Sequence, residues 1–173
     1  MRNGSCRPVT IAGVAALLSL AGCATPRVQA PVSATAPEPP AIVAPHPTTG
    51  DEIALRAISL VGKPYRYGGA DLQGFDCSGM VYFIHQALGI EVPRTAADQQ
   101  RASMSVARSA LLPGDLLFFR TTSGPRISHV AVYVGENRFV HAPQSGRLIE
   151  LRLLDDTYYG PRLAATGRLY PGS

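Results

Sequence analysis

Three side chains in this 173-residue chain have the types and spacing for nucleophilic chemistry: Cys77, His129 and His141. Cys77 lies in Phe75-Asp76-Cys77-Ser78-Gly79, directly after the glycine-rich stretch Gly68 to Gly74. It opens an apolar run, Met80-Val81-Tyr82-Phe83-Ile84, that reads as a helix. A thiol at a helix N-terminus feels the positive end of the macrodipole, which predicts a lowered pKa and a stabilised thiolate. Thiol chemistry of the hydrolase kind also needs an imidazole to hold the proton and a third group to orient that ring.

His85 is excluded as the base, because eight residues of helix put it about 12 Å along the axis from Cys77 and well around its face. It reads as structural or surface. His129 begins the run Val130-Ala131-Val132-Tyr133-Val134, and His141 ends Phe139-Val140 on the returning strand, across a turn at Gly135-Glu136-Asn137. A regular hairpin with a two-residue loop at Glu136-Asn137 would place the two rings on opposite faces, because side chains alternate along a strand. For both to serve one site, the hairpin needs a longer loop or a bulge, or His129 must precede regular pairing. One of these devices is expected.

These residues sit in the last part of a three-part chain. Residues 1–22 carry Arg2 and Arg7, then an apolar stretch of roughly 12 residues ending in Leu20-Ala21-Gly22-Cys23, the pattern of a bacterial lipoprotein signal peptide. Cys6 would leave with the signal, Cys23 would be lipidated, and Cys77 would remain as the free thiol with no disulfide partner. Ala24 after the lipidated residue, where inner-membrane retention uses Asp, points to an outer-membrane lipoprotein facing the periplasm. Residues 23–50 are rich in Pro, Ala, Val and Thr with almost no charge and read as an extended tether of at most about 80 Å. His46 falls in it and is discounted as a ligand.

Residues 51–173 are one domain by size. Their 13 Arg and Lys against 11 Asp and Glu leave a small positive excess, with no basic run or aromatic ladder for nucleic acid. Too few Cys, His and Asp ligands fall at metal spacing for a closed zinc site, so neither metal nor cofactor is expected. Asp51 reads as the cap of a first helix, Cys77 to Leu88 as a second, and a short third follows its cap Thr95. Strands are expected at Leu116–Phe119, His129–Val134, Arg138–Ala142 and Arg147–Leu153. Helices first and a strand meander after is the α+β pattern, N-terminal helices packed on a C-terminal antiparallel sheet.

The blocks Gly62-Lys63-Pro64-Tyr65-Arg66-Tyr67-Gly68-Gly69, Asp76-Cys77-Ser78-Gly79, Pro93-Arg94-Thr95, Pro113-Gly114-Asp115-Leu116, His129 to Gly135 and Phe139-Val140-His141-Ala142 together resemble the NlpC-type (NlpC/p60) cysteine peptidases of the bacterial cell wall, with the wording of the outer-membrane lipoprotein murein endopeptidases of the Spr (MepS) type. The resemblance covers residues 51 to 170 and implies a papain-like fold. It also implies Cys77 as nucleophile, His129 as base and His141 as the residue holding the imidazole. Tyr65 would close the cleft, and Asp76 and Ser78 would contact a peptide amine or line the cleft. The implied activity is hydrolysis of peptidoglycan stem peptides through a thioester, at D-Ala–meso-diaminopimelate crosslinks or at γ-D-glutamyl–diaminopimelate bonds. A wall-binding module without hydrolysis, or acyl transfer to another acceptor, are the rival readings. Pro143 and the tail Asp155 to Arg162 depart from the family's wording; they are expected to shape the cleft rim without touching the three catalytic residues.

Overall fold

The α+β architecture rests on a six-stranded sheet whose strands are all antiparallel, in the order Met104–Ser105, Leu163–Arg168, Leu116–Phe119, His129–Gly135, Arg138–His141, Glu150–Leu153. The computed structural model of the chain describes residues 48–170, so the expected signal peptide, Cys23 and most of the expected tether lie outside the described residues. In chain order the elements are α1 (Thr49–Ser59), the short pair β1 (Ala70–Asp71) and β2 (Gly74–Phe75), α2 (Cys77–Gln86), α3 (Ala96–Ala102), β3 (Met104–Ser105), β4 (Leu116–Phe119), β5 (His129–Gly135), β6 (Arg138–His141), β7 (Glu150–Leu153) and β8 (Leu163–Arg168).

Alternation along β4 and β5 divides the apolar residues between two faces. Leu116, Phe118, Val130 and Val132 pack with Ile53, Met80 and Val81 of the helices. Leu117, Phe119 and Ala131 pack with Phe139, Leu154 and Tyr159 on the opposite face. The sheet is therefore buried on both sides, which is why Leu116 to Phe119 is a continuous apolar run, fully enclosed.

Several boundaries differ from the sequence reading. The first helix is capped by Thr48, and Asp51 is the third helical residue of the capping box, its carboxylate accepting from the Thr48 backbone N–H at 2.9 Å. The second helix stops at Gln86, two residues before Leu88. The strand expected from Arg147 begins at Glu150, because Arg147 turns back to the Gln144 carbonyl at 3.1 Å. The strand β8 was missed. Its sequence Leu-Ala-Ala-Thr-Gly-Arg has little strand propensity, but its neighbours β3 and β4 supply partners on both edges. Arg168 anchors it through a fork on the fully buried Asp115, at 2.6 and 2.9 Å, which gives the Pro113-Gly114-Asp115 block a structural role.

The β5–β6 hairpin carries the bulge that the site requires. Glu136 and Asn137 form the two-residue loop with φ of 49° and 58°, the left-handed region that such a turn demands. Gly135 pairs with Arg138, but the next pair is Tyr133 with Phe139, so Val134 is the extra residue. That single insertion reverses the parity of the strand and brings His129 and His141 to the same face. Gly135, at φ 89°, absorbs the backbone distortion.

Candidate active site

The helical wall of the site is a satisfied network of charged groups around the start of α2. Asp76 is the N-cap: one carboxylate oxygen accepts from the Gly79 N–H at 2.6 Å and the other from the Gly68 N–H at 3.0 Å. Arg94 closes on the same carboxylate with both arms, at 2.9 and 2.7 Å, and donates to Ser78 Oγ at 3.1 Å. Ser78 donates to Asp76 at 3.3 Å. Five donors thus surround one carboxylate, which has about four lone-pair directions. Hydrogen bonds and the Arg94 charge hold the Asp76 carboxyl below the usual carboxylate range, although burial opposes them and is the largest single influence. Gly79 is packed against the Gly69 carbonyl so closely that any Cβ would strike it.

Cys77 is the first residue of that helix, half-buried, and a free thiol. The lowered pKa expected from the helix dipole is not what the setting produces. Burial pushes the thiol up from its ordinary value and the Asp76 charge adds to this, while the backbone N–H groups of Val130, Ser78 and Cys77 pull the other way. Burial wins because the thiolate is the form that water would solvate. The resting residue is therefore a thiol, and its proton must move when it attacks. The Val130 N–H also locates the sulfur at the start of β5, beside His129.

The sheet wall carries two imidazoles, His129 and His141. His129 is 4% exposed and His141 fully buried, and His129 Nε2 lies 2.9 Å from His141 Nδ1. Burial first, then the neighbouring imidazole, takes His129 down to about 3, while for His141 burial is followed by the Arg152 charge, also to about 3. Both rings are neutral at rest, and a neutral imidazole is what a proton acceptor must be. For His129 Nδ1 to accept a proton, Nε2 must carry the hydrogen and donate it to His141 Nδ1. His141 then carries its own hydrogen on Nε2. That atom is buried without a hydrogen bond among the described residues, and it faces Glu150 Oε1 at 3.4 Å. The separation is right for an ion pair but the alignment falls short of a hydrogen bond, so a small shift of Glu150 would complete the relay.

Cys77 and Tyr65 line a cavity of about 530 Å³ with Asp76, Ser78 and Arg94, and His129 lines a neighbouring one of about 430 Å³ with Glu150 and Tyr159. Consecutive residues line them where β5 begins, Ser128 the first and His129 the second. Among the described residues no hydrogen bond joins the sulfur to His129, a separation common before substrate closes the geometry. Tyr65 is half-buried, and burial followed by the Cys77 and Asp76 charges raises its phenol. His85 is in the core, with Nδ1 2.8 Å from the Val81 carbonyl, and has no part in the site.

Sequence reasoning missed three residues here. Arg94 was quoted in a motif but not paired with Asp76, 18 positions away; a cation in Pro-Arg-Thr at a helix cap was the available signal. Glu150 is the direct strand partner of His141, visible only once β6 and β7 are in register. Tyr159 corrects an expectation, since the tail does touch the catalytic residues. Its ring stacks on His129 at 5.7 Å and meets His141 edge-on at 4.6 Å.

A model of the NlpC/P60 family matches residues 62–168. The chain is 39% identical over 123 residues to a γ-D-glutamyl-L-lysine dipeptidyl-peptidase of Bacillus subtilis, covering 70% of this chain and 42% of that protein. It is 43% identical over 103 residues to the murein DD-endopeptidase MepH of Escherichia coli, covering 57% of this chain and 38% of that protein. It is 41% identical over 102 residues to the murein DD-endopeptidase MepS/murein LD-carboxypeptidase of the same species, covering 58% and 53%. The chain thus spans about half or less of the length of these relatives. Among solved structures, an NlpC/P60 family protein from Bacillus cereus superposes with a TM-score of 0.68 at 32% identity, covering 72% of this chain and 41% of that one. With the blocks, the fold and the family model in agreement, the chain belongs to the NlpC/P60 family.

Proposed function

We propose that the chain is a cysteine peptidase of the bacterial cell wall that hydrolyses peptidoglycan stem peptides. The observation that carries this reading is the neutral His129–His141 pair, hydrogen-bonded at 2.9 Å and opening onto the strand start where the Cys77 sulfur lies. In the reaction, Cys77 sulfur attacks a peptide carbonyl as its proton passes to His129 Nδ1. The imidazolium that forms donates from Nε2 to His141, whose own Nε2–H is directed at Glu150. The thiolate and imidazolium arise together in a poorly solvated site, where their attraction offsets the cost of separating charge. The backbone N–H of Cys77, unpaired within the helix, is placed to receive the carbonyl oxygen as it gains charge. Collapse transfers the proton to the leaving amine and leaves a thioester, which water cleaves with His129 as base.

The bond we favour is the D-Ala–meso-diaminopimelate crosslink, in line with the likeness to MepS and MepH. The state of Asp76 supports it. A γ-D-glutamyl cutter acting beside a free amino terminus would want an available carboxylate, and here five donors already occupy Asp76. We read Asp76 and Ser78 as the frame that holds the helix start, with Tyr65 on the cleft wall. The likeness to the γ-D-glutamyl-L-lysine dipeptidyl-peptidase keeps the second bond as the alternative. Cys23 is proposed as the lipid attachment that tethers the enzyme to the outer membrane.

Digestion of crosslinked muropeptides, followed by mass spectrometry, tests both levels. Loss of dimers supports the crosslink reading and clipped monomers the alternative. Identical profiles from wild type and Cys77→Ala would overturn the enzymatic reading altogether.

A further inference from the structure

A cavity of about 540 Å³ adjoins the Cys77 cleft and shares Thr95, Ala97 and Ile127 with it, so the two form one continuous groove. Its walls hold Arg101, Arg120 and Arg126 against a single carboxylate, Asp98, which leaves a net charge of +2. Arg101 pairs with Asp98, while Arg120 and Arg126 have no ion-pair partner among the described residues. The cavity on the other side of His129 is different: Arg147 and Arg152 are balanced there by Glu150 and Asp156. The groove is therefore electrically one-sided, cationic at the Cys77 end and neutral at the His129 end.

Both arginines are exposed, and the backbone that carries them is tied into the fold. Arg120 follows β4 directly, with its N–H on the Arg162 carbonyl at 3.0 Å. Arg126 lies on the loop into β5, and that loop is tied by the Ser128 hydroxyl, which accepts from the Thr121 N–H at 2.8 Å. Planar guanidinium groups at the wall of a groove suit a carboxylate, which they can grip with two parallel donors.

We infer that this cavity is a carboxylate subsite for the stem peptide. The inference rests on the proposed substrate class and adds a specificity to it. A γ-linked glutamyl residue leaves its α-carboxylate free, and diaminopimelate brings another. Both lie within a few residues of the carbonyl that Cys77 attacks, and extended chain covers about 3.3–3.6 Å per residue. Amidation of either group removes the charge that the arginines would grip.

The test is binding to Cys77→Ala protein, which needs no turnover, by three otherwise identical crosslinked muropeptides: fully acidic, amidated at the isoglutamyl α-carboxylate, and amidated at diaminopimelate. The acidic peptide is expected to bind on the order of tenfold tighter than at least one amide form. Which amide loses affinity identifies the carboxylate. The ratio should fall toward one in Arg120→Gln/Arg126→Gln, be only partly retained in Arg120→Lys/Arg126→Lys, which keeps the charge and loses the two-donor fork, and shrink at high salt. Equal binding of all three peptides, or a preference unchanged in the double glutamine variant, overturns the subsite. Failure of the wild type to cleave any of them overturns the proposed function instead and leaves the binding comparison intact.

Discussion

The two walls of the cleft hold their reactive groups by opposite means. Around Cys77, charge is compensated. Asp76 and Arg94 neutralise each other, backbone N–H groups fill the remaining lone pairs, and the helix start is pinned in place. Around His129, charge is avoided. Two neutral imidazoles sit among Phe119, Phe139 and Tyr159, and burial, helped by each site's cationic or imidazole neighbours, keeps protons off them. The lesson is that reactivity here does not come from a pre-formed thiolate. A raised thiol and depressed imidazoles favour the uncharged pair at rest, so charge appears only as the bond to the carbonyl forms.

Breaking the sheet wall should have the largest effect. His129→Ala is expected to lower kcat by about 10⁴-fold, with retained folding by circular dichroism, because in the proposed mechanism this ring takes the thiol proton. A rate within tenfold of wild type would mean the base lies elsewhere.

Acid should next separate the walls. Both imidazoles are depressed from 6.5 to about 3 in the folded state, so between those values the unfolded chain binds protons that the native state refuses. Stability is fully present above about pH 6.5 and is lost as pH falls toward 3. Chemical denaturation at a series of pH values should show this slope, and His141→Asn should flatten it. An unchanged slope would show that other groups govern acid sensitivity.

On the helical wall, Gly79→Ala is expected to cost about 1–3 kcal/mol, because the new Cβ meets the Gly69 carbonyl and must displace the loop that flanks Cys77. Thermal unfolding measures the loss. The smallest effect is the sharpest probe of the relay. Glu150→Ala should reduce kcat about tenfold with KM little changed, and Glu150→Gln should restore most of it by offering an acceptor to His141 Nε2–H. The ¹⁵N shifts of His141 should report the Nε2–H tautomer in the wild type, and the Nδ1–H form would refute the relay.

Much of this was legible along the chain because it depends on neighbours in sequence. The position of Cys77 at a helix start follows from Asp76 and the apolar run behind it. Strand parity alone called for a three-residue loop, a bulge or an early His129 if both rings were to share a site, and the bulge at Val134 is the device used. What escaped notice has long-range causes. Leu163–Arg168 becomes a strand only because β3 and β4 border it. Glu150 reaches His141 through cross-strand register, and Tyr159 reaches both rings after the chain has turned at Leu154 to Asp156.

The sign of the thiol's shift divides the two kinds of information. Sequence placed Cys77 at the positive end of a helix, and that local field is real in the N–H groups that face the sulfur. Only the tertiary structure shows how much water is removed around it, and desolvation outweighs the dipole. Residue types, their order and the strand parity determined which side chains could react. Burial and cross-strand contact, properties of the packed fold and of no single segment, decided in which protonation state they wait.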